Sequence, residues 1–325
     1  MPDKVRLGIL STADIGRNRV IPALRHCRNL EVAAVASRSL DKAQAFARDM
    51  GIPKAYGSYD ELLADPDIDA IYNPLPNSLH AEWSIKCAEA GKPCLCEKPL
   101  ASDAPEAQTM VDAFAQRNLL FAEAFMYRFH PQTQRVREMV QSGAIGDLRE
   151  ISAAFSFVIQ NEDDIRLSKP LAGGALMDIG CYCVNVMRLM TGEEPDEAKA
   201  IARVGQRSQV DESLAGVLSF PSGALGHFDC SFRLPFTHTY ELRGTKGRIL
   251  VEQAFVVPPD RQTTIRYWHN NDYEEITIPP ANSYTLMAED FADALLNNRS
   301  PKFSPQDAVR NMQALDRLYA SAGIR

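Results

Sequence analysis

The sequence predicts an α/β chain in two parts: a parallel sheet over residues 1–125, then an α+β domain over 126–325 on an open, mostly antiparallel sheet. Three observations predict this. Up to about residue 125, short apolar runs alternate with helical segments, and that spacing demands crossovers between parallel strands. After residue 147, strand-like runs follow one another across turn residues, as hairpins do. The 325 residues also suit two domains of ~150 residues each.

In order, strands are expected at 5–10, 31–36, 69–72, 93–96 and 119–122, with helices at 14–27, 41–49, 78–90 and 105–116. Ser58 followed by Glu61 resembles a capping box for a short helix ending before Pro66. In the second part, strands are expected at 148–159, 199–204, 213–220, 224–232, 239–243, 248–252, 263–268 and 273–278. Pro221-Ser222-Gly223 and Gly244-Thr245-Lys246-Gly247 read as hairpin turns. One helix, 175–190, interrupts these strands, and helices 284–296 and 305–322 close the chain, the last able to pack back on the first domain.

A net charge of -7 disfavours a nucleic-acid surface. No run approaches the ~18 apolar residues of a membrane span, so no membrane partner is expected. The opening residues run straight into a strand without an export signal, and seven scattered cysteines suit a reducing cytoplasm. No metal is expected: Cys94 and Cys96 lie in a predicted strand, and Cys181 and Cys183, two apart on a helix, diverge.

Glu97-Lys98-Pro99 ends an apolar strand, where an open α/β sheet faces its ligand crevice. Pro99 disfavours helix at Lys98, so the ammonium is aimed at a bound oxygen. The first strand-to-helix turn, Ser11-Thr12-Ala13-Asp14-Ile15-Gly16, keeps one glycine of a dinucleotide fingerprint, with Ser11 and Ala13 where glycines are usual. Small side chains there still let backbone N–H groups reach a pyrophosphate. At the second strand's end, Ser37-Arg38-Ser39 replaces the acid that binds an NAD ribose. A guanidinium with hydroxyls pairs with a 2′-phosphate, so NADP is favoured over NAD. On helix 175–190, Asp178, Tyr182 and Asn185 fall at i, i+4 and i+7 and share a face.

Together, the turn at Gly8–Gly16, Pro74 to His80, Glu97-Lys98-Pro99 and Gly173 to Gly180 resemble the glucose–fructose oxidoreductase/inositol dehydrogenase (Gfo/Idh/MocA) family over nearly the whole chain. The resemblance implies a Rossmann-type first domain. By it, Lys98 holds the reacting oxygen near the nicotinamide, and Glu97 lies by the nicotinamide ribose. Leu75, Pro76, Asn77 and His80 flank the cofactor, Arg166 reaches it and Tyr284 touches its amide. Asp178 binds substrate, and Tyr127 and Arg128 line the site. Ile165 stands where the family has Trp, Tyr182 where it often has His, and Asn185 where a second acid is common; Tyr182 resembles the D-xylose and dihydrodiol dehydrogenase branch. His130 is either structural or part of the site. Phe155 and Phe157 are expected to pack, and Asp163-Asp164 to form a solvated face. Relatives pair the second sheet into homodimers or homotetramers.

Tyr182 is then expected as acid/base, with Lys98 as electrostatic partner and substrate anchor, although the reverse assignment stays open. The expected reaction is NADP-dependent oxidation of the C1 hydroxyl of an aldopyranose such as D-xylose or D-glucose. The alternatives are a ketosugar or dicarbonyl reductase, a trans-dihydrodiol dehydrogenase, and a non-catalytic NADP sensor.

Overall fold

Six short strands form the first sheet: β1 (Val5–Leu10), β2 (Leu30–Ala36), β3 (Lys54–Tyr56), β4 (Ala70–Asn73), β5 (Cys94–Cys96) and β6 (Phe121–Glu123), in the order β3-β2-β1-β4-β5-β6. All pairings are parallel. The order reverses direction between β1 and β4, and ligands of such sheets bind beyond the carboxyl ends of the strands at that switch. The structure, a computed structural model, describes residues 4–270 and 272–325.

Strand β3 escapes the sequence reading because its three residues are only half-buried at the sheet edge. It makes the strand before Lys98 the fifth rather than the fourth. The expected helix 14–27 is shorter and irregular: α1 is a π-helical turn, Gly16–Val20, followed by Ile21–Leu24. Helices α2 (Leu40–Met50), α3 (Tyr59–Ala64), α4 (His80–Glu89) and α5 (Ala104–Ala115) complete the crossovers. Ser58 Oγ caps α3 by accepting from the Glu61 N–H at 3.1 Å. The Glu61 carboxylate reaches back to the Gly57 N–H rather than to that of Ser58. Asp103 and Glu106 cap α5 in the same reciprocal way, through the N–H groups of Glu106 and Ser102.

In the second sheet, β7 (Leu148–Ser156), β8 (Glu197–Val204), β9 (Asp211–Ser219), β10 (Leu225–Ser231), β11 (Thr237–Gly244), β12 (Gly247–Val251), β13 (Thr263–His269) and β14 (Asp272–Ile278) run in the order β14-β13-β12-β11-β7-β10-β9-β8. Among the described residues, only β7 with β10 pair as parallel strands. Helix α6 (Pro131–Gln141) precedes this sheet and was not expected. Pro131 sits in its first turn, and His130 caps it through Nδ1, which accepts from the Gln132 N–H at 3.1 Å. That places His130 in a structural role, with burial pushing its pKa down to about 4.

Helix α7 continues from a π-helical turn, Leu176–Gly180, into Cys181–Thr191 and packs on β7 and β10. Here one expectation fails. The stretch Lys169–Thr191, which takes in α7 and the turn before it, is long and apolar enough to cross a membrane by length and composition. Its apolar window is 78% buried inside the protein, which accounts for an almost uniformly hydrophobic helix. All seven cysteines are buried free thiols.

The chain divides into two units, each built from two separate stretches of the sequence. The first holds residues up to Met126 with Tyr284–Val309, and the second holds Tyr127–Ser283 with Arg310–Arg325. A single cut at 125/126 therefore misses α8 (Ser283–Leu296), nearly all of which belongs to the first unit. Its Glu289 carboxylate pairs with Arg28, its Glu289 carbonyl accepts from Asn29, and Thr285 donates to the Ala23 carbonyl. Helix α9 (Pro305–Ser321) groups with the first unit only through Val309.

Candidate functional site

The carboxyl ends of β1, β2, β4 and β5 lead into Ser11–Ala13, Ser37–Arg38, Leu75–Asn77 and Glu97–Lys98, so one sheet edge collects these candidates. Ser11 occupies the first fingerprint position with φ +74°, a left-handed backbone that favours glycine. Its N–H donates to the Ala36 carbonyl at 2.9 Å, tying the turn to β2. Gly16 is not required for close packing, since a Cβ there would have its nearest neighbour at 3.9 Å. The close approach lies in β1 itself, where a Cβ at Gly8 would stand 2.8 Å from Leu62 Cδ2.

A cavity of about 510 Å³ opens at this edge, lined by Ser11, Thr12, Ala13, Ser37, Arg38, Ser39, Lys42 and Tyr59. It offers a guanidinium, an ammonium and four side-chain hydroxyls besides that of Tyr59, and its lining holds no carboxylate. Such a donor set suits a phosphate ester, and the aromatic ring of Tyr59 offers a flat apolar wall. Lys42 and Tyr59 were missed by the sequence reading. Their signals were present: Ser39 caps α2 and so fixes Lys42 in its first turn, and Ser58 does the same for Tyr59. Asp14 and Ile15 lie outside this lining.

Behind Lys98 lies a buried polar network. Tyr72 OH donates to Glu97 Oε1 at 2.6 Å, and Glu97 Oε2 accepts from the Lys98 N–H at 3.3 Å. Burial, with the Glu97 carboxylate beside it and Tyr284 nearby, pushes the Tyr72 phenol well above its ordinary value. His80 was expected to flank a cofactor, yet it is fully buried, and its ring nitrogens lie 2.9 Å from the Pro99 carbonyl and 2.7 Å from that of Leu75. It packs between the Leu75 loop and the proline after Lys98, and a neutral ring donates to one of these carbonyls at a time. Burial pushes its pKa down to about 4, the two carbonyls pull it up, and the Lys98 ammonium pushes it down.

In the second unit, Tyr182 is 5% exposed and ringed by aromatics. Its ring centroid lies 5.4 Å from those of Phe155 and Phe255 and 5.7 Å from that of Tyr127. Phe155 is core, as expected. Tyr127 OH donates to Asn185 Oδ1 at 2.7 Å, so Tyr182 and Asn185 both face Tyr127. Arg128 is 2% exposed. His238, another residue the sequence did not single out, lies 5.9 Å from Phe155 and accepts the Phe255 and Val256 N–H groups on Nδ1. Burial pushes its pKa down to about 4.

Asp178 pairs with Arg166, Nε to Oδ2 at 3.1 Å, and Arg166 also pairs with Asp164 at 3.0 Å. Asp164 is thus not a solvated residue: it caps the turn Ile165–Leu167 and orients the arginine. The glycines before α7 let this turn pack against the helix start. A Cβ on Gly173 would stand 2.3 Å from the Arg166 carbonyl, and Gly174, at φ +126°, donates its N–H to that carbonyl at 2.8 Å. Asp211 anchors the same start, accepting from the Leu176 N–H at 2.7 Å and from Tyr319 OH at 2.8 Å. Burial pushes the Asp211 carboxyl up to about 6, against both hydrogen bonds.

Comparison with known proteins agrees with this division of labour. Residues 5–125 match the oxidoreductase family with an NAD-binding Rossmann fold, and residues 133–250 match the GFO/IDH/MocA C-terminal domain. A D-xylose 1-dehydrogenase (NADP(+)) from Haloferax volcanii is 40% identical over 97% of this chain and 96% of its own length. A trans-1,2-dihydrobenzene-1,2-diol dehydrogenase from Bos taurus is 33% identical over 85% of this chain and 79% of its own. Among solved structures, the 3-ketoreductase KijD10 from Actinomadura kijaniata, in complex with NADP and TDP-benzene, superposes with a TM-score of 0.93. It is 31% identical, over 98% of each chain. With both domain models matched and relatives of this identity aligned over nearly its full length, the chain belongs to the GFO/IDH/MocA family of oxidoreductases.

Proposed function

We propose that this oxidoreductase is NADP-dependent and oxidises the C1 hydroxyl of an aldopyranose such as D-xylose or D-glucose to the lactone. The observation that carries the cofactor choice is the acid-free cavity, where Arg38, Lys42 and the hydroxyls of Ser37 and Ser39 suit a 2′-phosphate. The NADP-named relative at 40% identity supports both cofactor and substrate class. A nicotinamide cofactor held at this edge would supply the hydride acceptor. Lys98 holds the reacting oxygen through its ammonium, on a backbone fixed by Glu97 and the His80 contact. Tyr182, acting in its phenolate form, takes the hydroxyl proton and becomes the phenol, and Asp178, oriented by Arg166, accepts from a neighbouring sugar hydroxyl. The 3-ketoreductase similarity favours a second reading, reduction of a ketosugar by the same residues run in reverse.

A spectrophotometric screen of NADP and NAD against aldoses, polyols and dicarbonyls separates these readings. The expected result is NADP reduction by a pyranose, with kcat/KM at least ~10-fold above that for NAD. Rapid NADPH oxidation by a ketosugar or dicarbonyl, with no pyranose oxidised, moves the assignment to the reductase.

We also infer a homodimer through the second sheet. Ile201, Val217 and Leu225 are 82%, 52% and 59% exposed on one face of β8, β9 and β10. Ile201→Glu should shift the species seen by light scattering toward monomer; an unchanged mass places the interface elsewhere.

A further inference from the structure

Tyr72 stands near the end of β4, and packing alone does not account for its hydroxyl. Ala70, Ile71 and Tyr72 are all fully buried, so a phenylalanine would fill the same space, and a buried hydroxyl is costly unless it is hydrogen-bonded. The hydroxyl donates to Glu97 Oε1 at 2.6 Å, and Glu97, itself buried, accepts the Lys98 N–H on Oε2 at 3.3 Å. The sheet register sets this meeting. Tyr72 lies opposite Ile9 on β1 and Leu95 on β5, and the Glu97 N–H donates to the Asn73 carbonyl at 3.0 Å. Besides Lys98, the titratable groups near the pair are the Cys96 thiol, Glu123 opposite Cys96 on β6, and Tyr284 from α8. Burial pushes both the Cys96 thiol and the Tyr72 phenol well up, so at neutral pH both keep their protons and Tyr72 remains a donor.

A buried carboxylate keeps its charge where donors replace water, and each donor lowers the pH at which it takes up a proton. We propose that Tyr72 is a positioning residue: its hydroxyl keeps the Glu97 carboxylate ionised and in place, and through it fixes the backbone from which Lys98 reaches the reacting oxygen. The anion so held is the chain neighbour of Lys98 and favours its charged ammonium. Lys98 is thereby kept as the cation that anchors the oxygen, and the proton of the substrate hydroxyl falls to Tyr182. The inference rests on the role given to Lys98 in the proposed function, and it holds for either direction of the reaction.

The test uses the full-length enzyme at saturating cofactor, with Tyr72→Phe, Glu97→Gln and the double variant. Tyr72→Phe should lower kcat about tenfold, as for one hydrogen bond to a charged group, with a smaller change in the KM of the best substrate. In the Glu97→Gln background the same substitution should cost less than about twofold, since the charged bond is already gone. Infrared spectra titrated with pH give a second readout, through the protonated carboxyl band that Glu97→Gln removes. In Tyr72→Phe that band should appear about one pH unit higher than in the unmodified enzyme, because Glu97 without its donor takes up a proton sooner as pH falls. Additive losses, or a band that titrates at the same pH in both proteins, assign Tyr72 to packing and overturn the proposal. An intact kcat in Tyr72→Phe overturns it too, and decides the matter even if Glu97→Gln does not fold. Lys98→Ala separates this inference from the reading beneath it. A near-normal kcat there removes the lysine's role and both fall, whereas a large loss there beside an intact Tyr72→Phe overturns the inference alone. If the unmodified enzyme reduces a ketosugar and oxidises no pyranose, the aldose reading fails, and the same measurements on the ketosugar decide for or against Tyr72.

Discussion

At the edge of the first sheet, Arg38 is exposed and Lys42 borders an open cavity, whereas in the second unit Tyr182 is 5% exposed and enclosed by three aromatic rings. The cavity gathers side chains from three separate loops, two held by the helix caps Ser39 and Ser58 and one by the Ser11 N–H bond to β2. The cage is over-determined: its rings are packed and its helix start is anchored by Asp211. Exposed cations act through solvent, so each contributes modestly and is screened by salt. Buried groups have no substitute when one is lost. Recognition of the cofactor is therefore expected to be graded, and the chemistry all-or-none.

The sharpest way to break this contrast is at the reacting groups. Lys98→Ala and Tyr182→Phe should each lower kcat by ~10²-fold or more while NADPH binding, followed by fluorescence, persists. A near-normal kcat across pH in Tyr182→Phe would make the cage mere packing and Lys98 the proton relay. At the cavity, Arg38→Asp should erase the ~10-fold preference for NADP, whereas Lys42→Ala should cost about threefold in NADP KM, less in high salt. An equal loss from both variants at every ionic strength would contradict graded recognition.

Acid stability probes the buried side. His80, His130 and His238 are held neutral, with pKa values down at about 4, so the unfolded chain takes up their protons first as pH falls. Their contribution to stability is complete above ~6.5 and is lost as pH falls toward 4. Asp211 works in the opposite sense: its folded-state carboxyl is raised to about 6, above its unfolded ~3.9, so its contribution is present at low pH and lost as pH rises through 6. Asp211→Asn should therefore steepen the loss of urea stability between pH 6.5 and 4, and an unchanged slope would show that the carboxyl titrates normally. The smallest effect is expected at the turn. Ser11→Gly relieves a left-handed backbone and should raise stability by about 0.5–1 kcal/mol, read by thermal melting.

What the sequence made legible was contiguous. Lys98 could be placed because strand, glutamate and proline stand beside it, and the alternation of strand and helix was long enough to imply the parallel sheet. Lys42 was within reach, since it stands in the first turn behind the Ser39 cap beside Arg38, whereas the meeting of Tyr59 with Arg38 depends on two loops converging in the fold. Local chemistry also misled: Asp164 beside Asp163 reads as a solvated pair, although it pairs with Arg166 two residues on, and only folding brings that arginine to Asp178. His80 sits in a motif beside a cofactor loop, yet its ring is turned inward to two carbonyls. Asn185 shared a helical stripe with Tyr182, but no periodicity shows that its amide answers to Tyr127.

The clasp of Arg28 and Asn29 by Glu289 has a consequence for how the protein is made. These partners are separated by 261 and 260 residues, so all six strands of the first sheet leave the ribosome well before the helix that covers its early residues. At ~5–20 residues per second the wait is roughly 13–50 seconds. Throughout it, the surface that α8 will cover near Ala23, Arg28 and Asn29 stays open to chaperones, and to neighbouring nascent chains on the same message. Shortening the gene from its far end would strip the second unit of Arg310–Arg325 first, and only a cut reaching α8 would bare the nucleotide-binding half encoded at its beginning.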